Sequence, residues 1–87
     1  MTKAELAADT LATRVAPIYD LLNWEWAGCG VPTKENIYQE LLRLYKTLRK
    51  RGEEITEIST GGLEVRRYKD AIGKWEYCFL FADEEWF

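Results

Sequence analysis

The chain has 87 residues, a formal net charge of −3 and an apolar content of 47%, and aromatic side chains alone account for 14%. This apolar content is too high for a disordered tail and the charges are too mixed for a fibrous repeat, so the composition predicts one soluble globular domain over residues 1–87. Because the sequence has no His, it excludes imidazole bases, Ser-His and Cys-His nucleophile pairs and His-containing zinc sites.

The first predicted helix begins almost at the first residue. Thr2 followed three residues later by Glu5 is a capping-box pattern, in which each side chain accepts a hydrogen bond from the other residue's backbone N–H. Apolar residues then recur on one helical face, at Leu11, Val15, Ile18 and Leu22. Pro17 lies inside this stripe, which stays in phase on both sides of it. The pattern therefore predicts a first helix that is kinked at Pro17, with two short helices as the alternative.

An aromatic loop and a second helix follow. The segment 23–32 contains two glycines and a proline, which break regular structure, together with Trp24 and Trp26. Thr33 is the predicted cap of the second helix, and Gly52 is its predicted C-terminal stop. The apolar positions of this helix form a wide arc, at Ile37, Leu41, Leu44 and Leu48. Such an arc predicts a helix that lies between the first helix and a sheet.

In the second half of the chain the pattern changes from helical to alternating. The two glycines at 61–62 separate two alternating segments, and consecutive glycines tolerate the positive φ angles of a two-residue hairpin turn. This turn fixes the register of the hairpin. It places Ile58 opposite Val65 on one face and pairs Glu57 with Arg66 on the other.

A third strand is predicted over residues 74–81, after a turn at 70–73. Alternation places its aromatic side chains on one side, namely Trp75, Tyr77, Phe79 and Phe81. The same side carries Leu63 and Val65 of the hairpin, which gives the helices an apolar surface to cover. The sequence therefore predicts an α+β domain with two main helices packed on a three-stranded antiparallel meander.

Basic residues are concentrated at the end of the second helix and on the hairpin. Residues 41–51 carry five bases and no acid. The candidates for contact with nucleic-acid phosphates are Arg43, Lys46, Arg49, Lys50, Arg51, Arg66, Arg67 and Lys69. Two helices followed by a glycine-tipped hairpin is also the order of elements in a winged-helix DNA-binding domain. The alternative interpretation is that cations collect at a helix C-terminus because the helix dipole favours them there.

Four aromatic residues are the candidates for protein contact, namely Trp24, Trp26, Trp86 and Phe87. Trp is enriched at the hot spots of interfaces, and neighbouring carboxylates keep an exposed aromatic side chain soluble. The alternative interpretation is that these rings cover the ends of a small core. The sequence predicts another protein as the partner, or a second copy of the chain in a homodimer.

The remaining residues indicate no catalytic, cofactor or metal site. Cys29 lies between two glycines without a nearby cation that would stabilise a thiolate, and Cys78 is predicted on the second face of the sheet. No spacing of carboxylates matches a calcium loop. We find no apolar run long enough for a signal peptide or a membrane span, and the two widely separated Cys favour reduced thiols, so a cytoplasmic location is expected.

Three short runs resemble small uncharacterised proteins carried by bacteria and their prophages. The runs are Asn23-Trp24-Glu25-Trp26, Pro32-Thr33 and Ile58-Ser59-Thr60-Gly61-Gly62-Leu63-Glu64-Val65. The resemblance implies no fold, substrate or catalytic residue. It implies a setting in which small acidic proteins act by binding a larger protein. We therefore predict a non-enzymatic protein-binding domain of the adaptor or inhibitor kind, with nucleic-acid binding as the alternative.

Overall fold

The computed structural model describes residues 1–19, 31–51 and 56–81 with their side chains, and residues 84–85 as backbone. Several predicted features lie outside the described residues. They are Leu22 of the predicted first helix, residues 23–30 of the predicted loop with Trp24, Trp26 and Cys29, the predicted helix stop Gly52, and the terminal Trp86 and Phe87.

Helix α1 spans Lys3–Val15 and begins with the predicted capping box. The backbone N–H of Thr2 donates to Oε1 of Glu5 at 3.0 Å, and the backbone N–H of Glu5 donates to Oγ1 of Thr2 at 3.1 Å. Both hydrogen bonds satisfy amides that have no partner inside the helix, which is why the chain becomes helical directly after Thr2.

The capping box makes the stability of the domain depend on pH. The backbone N–H of Thr2, and then its hydroxyl, lower the pKa of Glu5 in the folded chain. This stabilisation is present above the ordinary range of a Glu side chain and is lost as the pH falls through the lowered pKa. Urea unfolding at neutral and at acid pH should show Glu5→Gln to be less stable than the parent only at neutral pH. If Glu5→Gln lowered the free energy of unfolding by the same amount at both pH values, this explanation would be wrong.

Helix α1 ends at Val15, so Pro17 terminates the helix where the sequence predicted a kink. Proline has no N–H, so the carbonyl four residues before it loses its helical donor, and the ring crowds the preceding turn. The backbone N–H of Ile18 donates to the carbonyl oxygen of Val15 at 3.0 Å, which closes a tighter turn after the helix.

Tyr19 connects the end of this turn to the tip of the hairpin. Its side chain is buried, its hydroxyl donates to the carbonyl oxygen of Gly61, and its ring centroid lies 5.6 Å from that of Phe81. Burial, and then the charge of Glu40, raises the pKa of Tyr19, so this hydroxyl stays a donor to a higher pH than that of an exposed tyrosine. The contact ties residues 42 positions apart in the chain.

Removal of the Tyr19 hydroxyl should lower the stability of the domain by a measurable amount. Tyr19→Phe is expected to lower the free energy of unfolding by about 1 kcal/mol, because the Gly61 carbonyl loses its donor while the ring remains. The matched control is Tyr45→Phe, which keeps the ring that packs against Tyr77 and Phe79 and removes only the hydroxyl. Urea unfolding would contradict the assignment if the two variants were equally stable.

Helix α2 spans Lys34–Lys50, as the cap and the apolar arc predicted. Oγ1 of Thr33 accepts from the backbone N–H of Asn36 at 3.2 Å, and the backbone N–H of Arg51 closes the last turn. The buried apolar residues of the helix are Ile37, Leu41, Leu44 and Leu48. They pack in one core with α1 and with the sheet. Helix α2 lies beside α1 and not between α1 and the sheet as predicted, since α1 also packs directly on the sheet.

The sheet is antiparallel in the order β1 (Glu57–Thr60), β2 (Leu63–Lys69), β3 (Trp75–Phe81) and β4 (Glu84–Glu85). The first three strands are the predicted meander, and β4 adds two residues beside the end of β3. The predicted hairpin register is confirmed, with pairs Thr60–Leu63, Ile58–Val65 and Glu57–Arg66. The two turn glycines have φ angles of 52° and 86°, the left-handed region that a primed turn requires.

Both helices cover the same side of this sheet, called here the helix side. Four of its residues, Leu63, Val65, Phe79 and Phe81, are buried in one cluster with the helix residues. The opposite, outer side carries Cys78 as predicted, and Cys78 and Leu80 are 8% and 4% exposed. Tyr68 on the outer side is 51% exposed, so this side is buried at Leu80 and open at Tyr68.

Neither α1 nor α2 is both long and apolar enough to cross a membrane.

Candidate functional site

The eight basic candidates do not form one surface. Arg66 lies on the outer side of the sheet, where its Nε is 2.8 Å from Oε1 of Glu64 and 3.4 Å from Oε2 of Glu57. On α2, the guanidinium of Arg43 pairs with the carboxylate of Glu40, whose side chain is only 9% exposed. Carboxylates of the chain therefore already neutralise two of the predicted phosphate contacts.

Arg67 does not lie on the predicted basic surface, because it is buried. It lies on the helix side of β2, opposite Tyr77, and is only 7% exposed. A guanidinium in this position is not available to a polyanion that rests on the protein surface.

The other basic candidates are exposed, and they lie on two elements. Lys46, Arg49, Lys50 and Arg51 lie at the C-terminal end of α2, and Lys69 lies at the end of β2. The Cζ atom of Arg49 lies 5.7 Å from the ring centroid of Tyr45, so this cation packs over an aromatic ring of its own helix. Together with Arg43, which is exposed although it pairs with Glu40, these five residues make six exposed residues among the eight candidates.

The four aromatic contact candidates, Trp24, Trp26, Trp86 and Phe87, lie outside the described residues and stay predictions. The structure does place the acidic pair before Trp86. Glu84 and Glu85 form β4 and pair with Phe81 and Leu80, so their backbone extends the edge of the sheet.

A groove lies between the N-terminal part of α1 and strand β3, and we call it the α1–β3 groove. Its volume is about 480 Å³, within the range of ligand-binding clefts. Most of its lining is apolar or aromatic. The described lining residues are Lys3, Ala4, Leu6, Ala7, Tyr45, Lys74, Trp75, Glu76, Tyr77 and Phe79.

The aromatic side chains that line the groove are packed against each other. The ring centroids of Tyr45 and Tyr77 are 4.7 Å apart in an edge-to-face arrangement, and those of Tyr45 and Phe79 are 6.2 Å apart. Edge-to-face pairs are favourable because the positive ring edge meets the negative ring face. These contacts join α2 to β3 and give the groove a preformed aromatic surface.

Leu6 and two lysines lie at the border of the groove. Leu6 is 56% exposed, one of the few large apolar side chains among the described residues that are open to solvent. Lys3 and Lys74 are also exposed, and Nζ of Lys74 lies 3.9 Å from Oε1 of Glu76. The border therefore combines an unburied apolar side chain with cations.

Trp75 links the groove to two further cations. The Cζ atom of Arg67 and the Nζ atom of Lys69 each lie 5.0 Å from the centroid of the Trp75 ring. Both distances are within the range of cation–π interaction. The end of β2 next to Trp75 therefore carries two cations, Arg67 and Lys69, on the helix side of the sheet.

Sequence reasoning did not find this groove. Leu6 was the available signal, because it is an apolar residue out of phase with the buried positions Ala8, Leu11 and Val15 of α1. The aromatic residues of β3 were assigned to the core alone, and Tyr77 is in fact only partly buried. The contact between α1 and β3 joins distant parts of the chain, which local patterns do not report.

The described residues offer no metal centre, since no three His, Cys, Asp or Glu side chains among them are grouped to hold an ion. Comparison of the chain with models of protein families, with curated proteins and with solved structures finds no match.

Proposed function

We propose that the chain is a small non-enzymatic protein-binding domain, and that its α1–β3 groove holds an acidic segment of the partner with one apolar side chain in the groove. The observation that carries this proposal is the composition of the groove. A packed aromatic surface, an exposed Leu6 and a border of lysines lie together in one cleft.

The apolar part of the proposal follows from the burial of the described side chains. The core residues of α1, α2 and the sheet are almost completely buried, whereas Leu6 remains 56% exposed beside Trp75 and Tyr77. An apolar side chain inserted here removes further apolar surface from water, which favours association. Rigid aromatic rings add contact area with little loss of side-chain entropy, and they are typical of binding hot spots.

The acidic character of the partner follows from the charges around the groove. Lys3 and Lys74 line it, Lys69 lies at the ring of Trp75 beside it, and the acid in its described lining is Glu76. This local excess of cations contrasts with the chain's net charge of −3. Complementary charges steer association and select partners, so an acidic segment is favoured over a basic one.

Nucleic-acid binding, the alternative prediction, has weaker support from the same geometry. Arg43 and Arg66 are paired with carboxylates and Arg67 is buried, so the predicted phosphate-binding surface is reduced and divided. We therefore treat polynucleotide binding as an outcome to be tested beside peptide binding.

The test is selection of peptides from a random displayed library against the purified full chain. We expect the selected peptides to contain acidic residues and an aromatic or large aliphatic anchor. Leu6→Glu should weaken their binding by roughly tenfold or more, since it places a charge in the apolar contact. The control is Ile72→Glu, because Ile72 is 86% exposed in the turn before β3 and does not line the groove.

Two results would contradict the proposed function. One is selected peptides that bind the parent and Leu6→Glu equally well. The other is a selection that enriches no peptide while a single-stranded oligonucleotide binds the parent chain in a salt-dependent manner.

A further inference from the structure

The α1–β3 groove follows the edge of strand β3. Its lining includes four consecutive residues of this part of the chain, 74–77. Because successive side chains of a strand point to opposite sides of the sheet, a groove on one side alone is lined by every second residue. Lining by consecutive residues, including Glu76 of the outer side, shows that the groove reaches the backbone of β3. Strand β2 pairs with one edge of β3 from Trp75 to Phe81, so the groove lies at the edge that faces away from β2.

The hydrogen-bond pattern shows which backbone groups face this edge. The backbone N–H of Asp70 donates to the carbonyl oxygen of Lys74 at 2.9 Å, which directs the carbonyl of Lys74 toward β2. The direction of the backbone groups alternates along an antiparallel strand, so those of Glu76 and Cys78 also face β2. The N–H and C=O groups of Tyr77 therefore point away from β2, into the edge that the groove follows.

The described strands leave this edge of β3 open at Tyr77. Strand β4 pairs with Leu80 and Phe81, and no described strand pairs with the preceding residues of β3 at that edge. Phe79 is only 3% exposed, whereas Tyr77 is partly exposed and lines the groove. Tyr77 thus offers two kinds of contact in one place, a ring on the helix side and a backbone donor and acceptor at the edge.

We propose that the acidic segment of the partner binds in the α1–β3 groove as an extended strand that is added to the edge of β3 at Tyr77. This inference rests on the proposed function and names the way in which the segment is recognised. The N–H of Tyr77 donates to the added strand, and the carbonyl of Tyr77 accepts from it. Main-chain hydrogen bonds of this kind supply affinity, and every second side chain of the added strand supplies specificity. Those side chains lie on the helix side, where Leu6 also lines the groove.

The charges of β3 define the sequence that the added strand requires. The residue opposite Tyr77 lies on the helix side and is the apolar anchor. Its neighbour opposite Glu76 lies on the outer side, where a second carboxylate would be repelled. Three residues from the anchor the added strand lies opposite Lys74, whose side chain is 69% exposed and attracts a carboxylate. We therefore expect an acid three residues from the anchor and no acid opposite Glu76.

The first test is an N-methyl scan of the tightest-binding peptide that the displayed library yields against the full chain. Each backbone N–H of this peptide is methylated in turn, and binding is measured by fluorescence anisotropy. A strand directs alternate N–H groups toward its neighbour, so methylation should weaken binding about tenfold at alternate positions around the anchor and have little effect between them. The intervening positions are the matched control. Equal effects at neighbouring positions, or no effect at any position, would overturn the strand addition.

Amide hydrogen exchange measured by NMR tests the same contact on the protein. In the free chain the N–H of Tyr77 should exchange faster than that of Cys78, which faces β2. Saturating peptide should slow the exchange of the Tyr77 N–H by roughly tenfold or more, while that of Cys78 stays slow. The proposal is wrong if the Tyr77 N–H is as protected as that of Cys78 in the free chain, or if peptide leaves its exchange unchanged. A library that yields no binding peptide would instead reject the proposed function, and this inference with it.

Discussion

Phe81→Ala is expected to lower the free energy of unfolding by about 3–5 kcal/mol. Phe81 is 1% exposed, it lies opposite Leu63 in the sheet, and its ring contacts that of Tyr19. Its removal leaves a cavity where β2, β3 and the turn after α1 meet. A chain of this length has a total stability of roughly 4–13 kcal/mol, so the loss is a large fraction of the whole.

Equilibrium unfolding in urea measures this effect. Phe81→Leu should cost less than half as much, because it keeps most of the buried volume. Ile72→Ala, in the exposed turn before β3, should change the free energy of unfolding by less than about 0.5 kcal/mol. A Phe81→Ala variant as stable as Ile72→Ala would show that the core is not built around Phe81.

Arg67→Met is expected to have a large effect of the opposite sign. It should raise the free energy of unfolding by roughly 1–3 kcal/mol, since it replaces enclosed N–H donors that lack partners among the described residues with an apolar side chain. Most single substitutions destabilise a protein, so a stabilised variant at a buried charged position is a distinctive result.

Arg66→Met provides the matched comparison for stability. Nε of Arg66 lies 2.8 Å from the carboxylate of Glu64, whose side chain is only 12% exposed. Loss of the guanidinium leaves a nearly buried carboxylate without this partner, so Arg66→Met should be less stable than the parent. Thermal and urea unfolding measure the stability of both variants. If Arg67→Met is destabilised as well as Arg66→Met, the buried guanidinium of Arg67 stabilises the fold, and the expected gain in stability is disproved.

Much of the fold could be predicted because the responsible interactions are local. The Thr2 and Glu5 capping box depends on residues three positions apart. The two glycines at 61–62 fix the hairpin turn, and the turn fixes the register that pairs Ile58 with Val65. In each case a few neighbouring residues determine a backbone conformation, and the pattern of apolar residues agrees with it.

An end of the first helix next to Pro17 was only the alternative prediction, because two effects of Pro17 compete. The apolar stripe that continues past Pro17 favours a continuous kinked helix, whereas the missing N–H favours an end. The hydrogen bond from Ile18 to Val15 shows that a tighter turn forms there. The sequence contains both signals, and only the packing of the turn decides between them.

The candidate site was harder to predict than the fold. Arg66 and Arg67 were grouped as one basic surface, although neighbouring residues in a strand point to opposite sides of the sheet. The structure places the first beside two carboxylates and buries the second against Trp75. The groove itself requires α1 to lie beside β3, a long-range contact that no local pattern in the sequence specifies.

The binding groove is tested by an NMR titration of the full chain with the amidated peptide Asp-Glu-Glu-Trp-Phe, which has the sequence of residues 83–87 and combines three acids with two aromatic anchors. We expect the methyl resonances of Ala4, Leu6 and Ala7 to shift with a single saturation curve, while those of the exposed Ile72 stay in place. Saturable shifts confined to residues outside the groove, with the methyl groups of Leu6 and Ala7 unchanged, would contradict it.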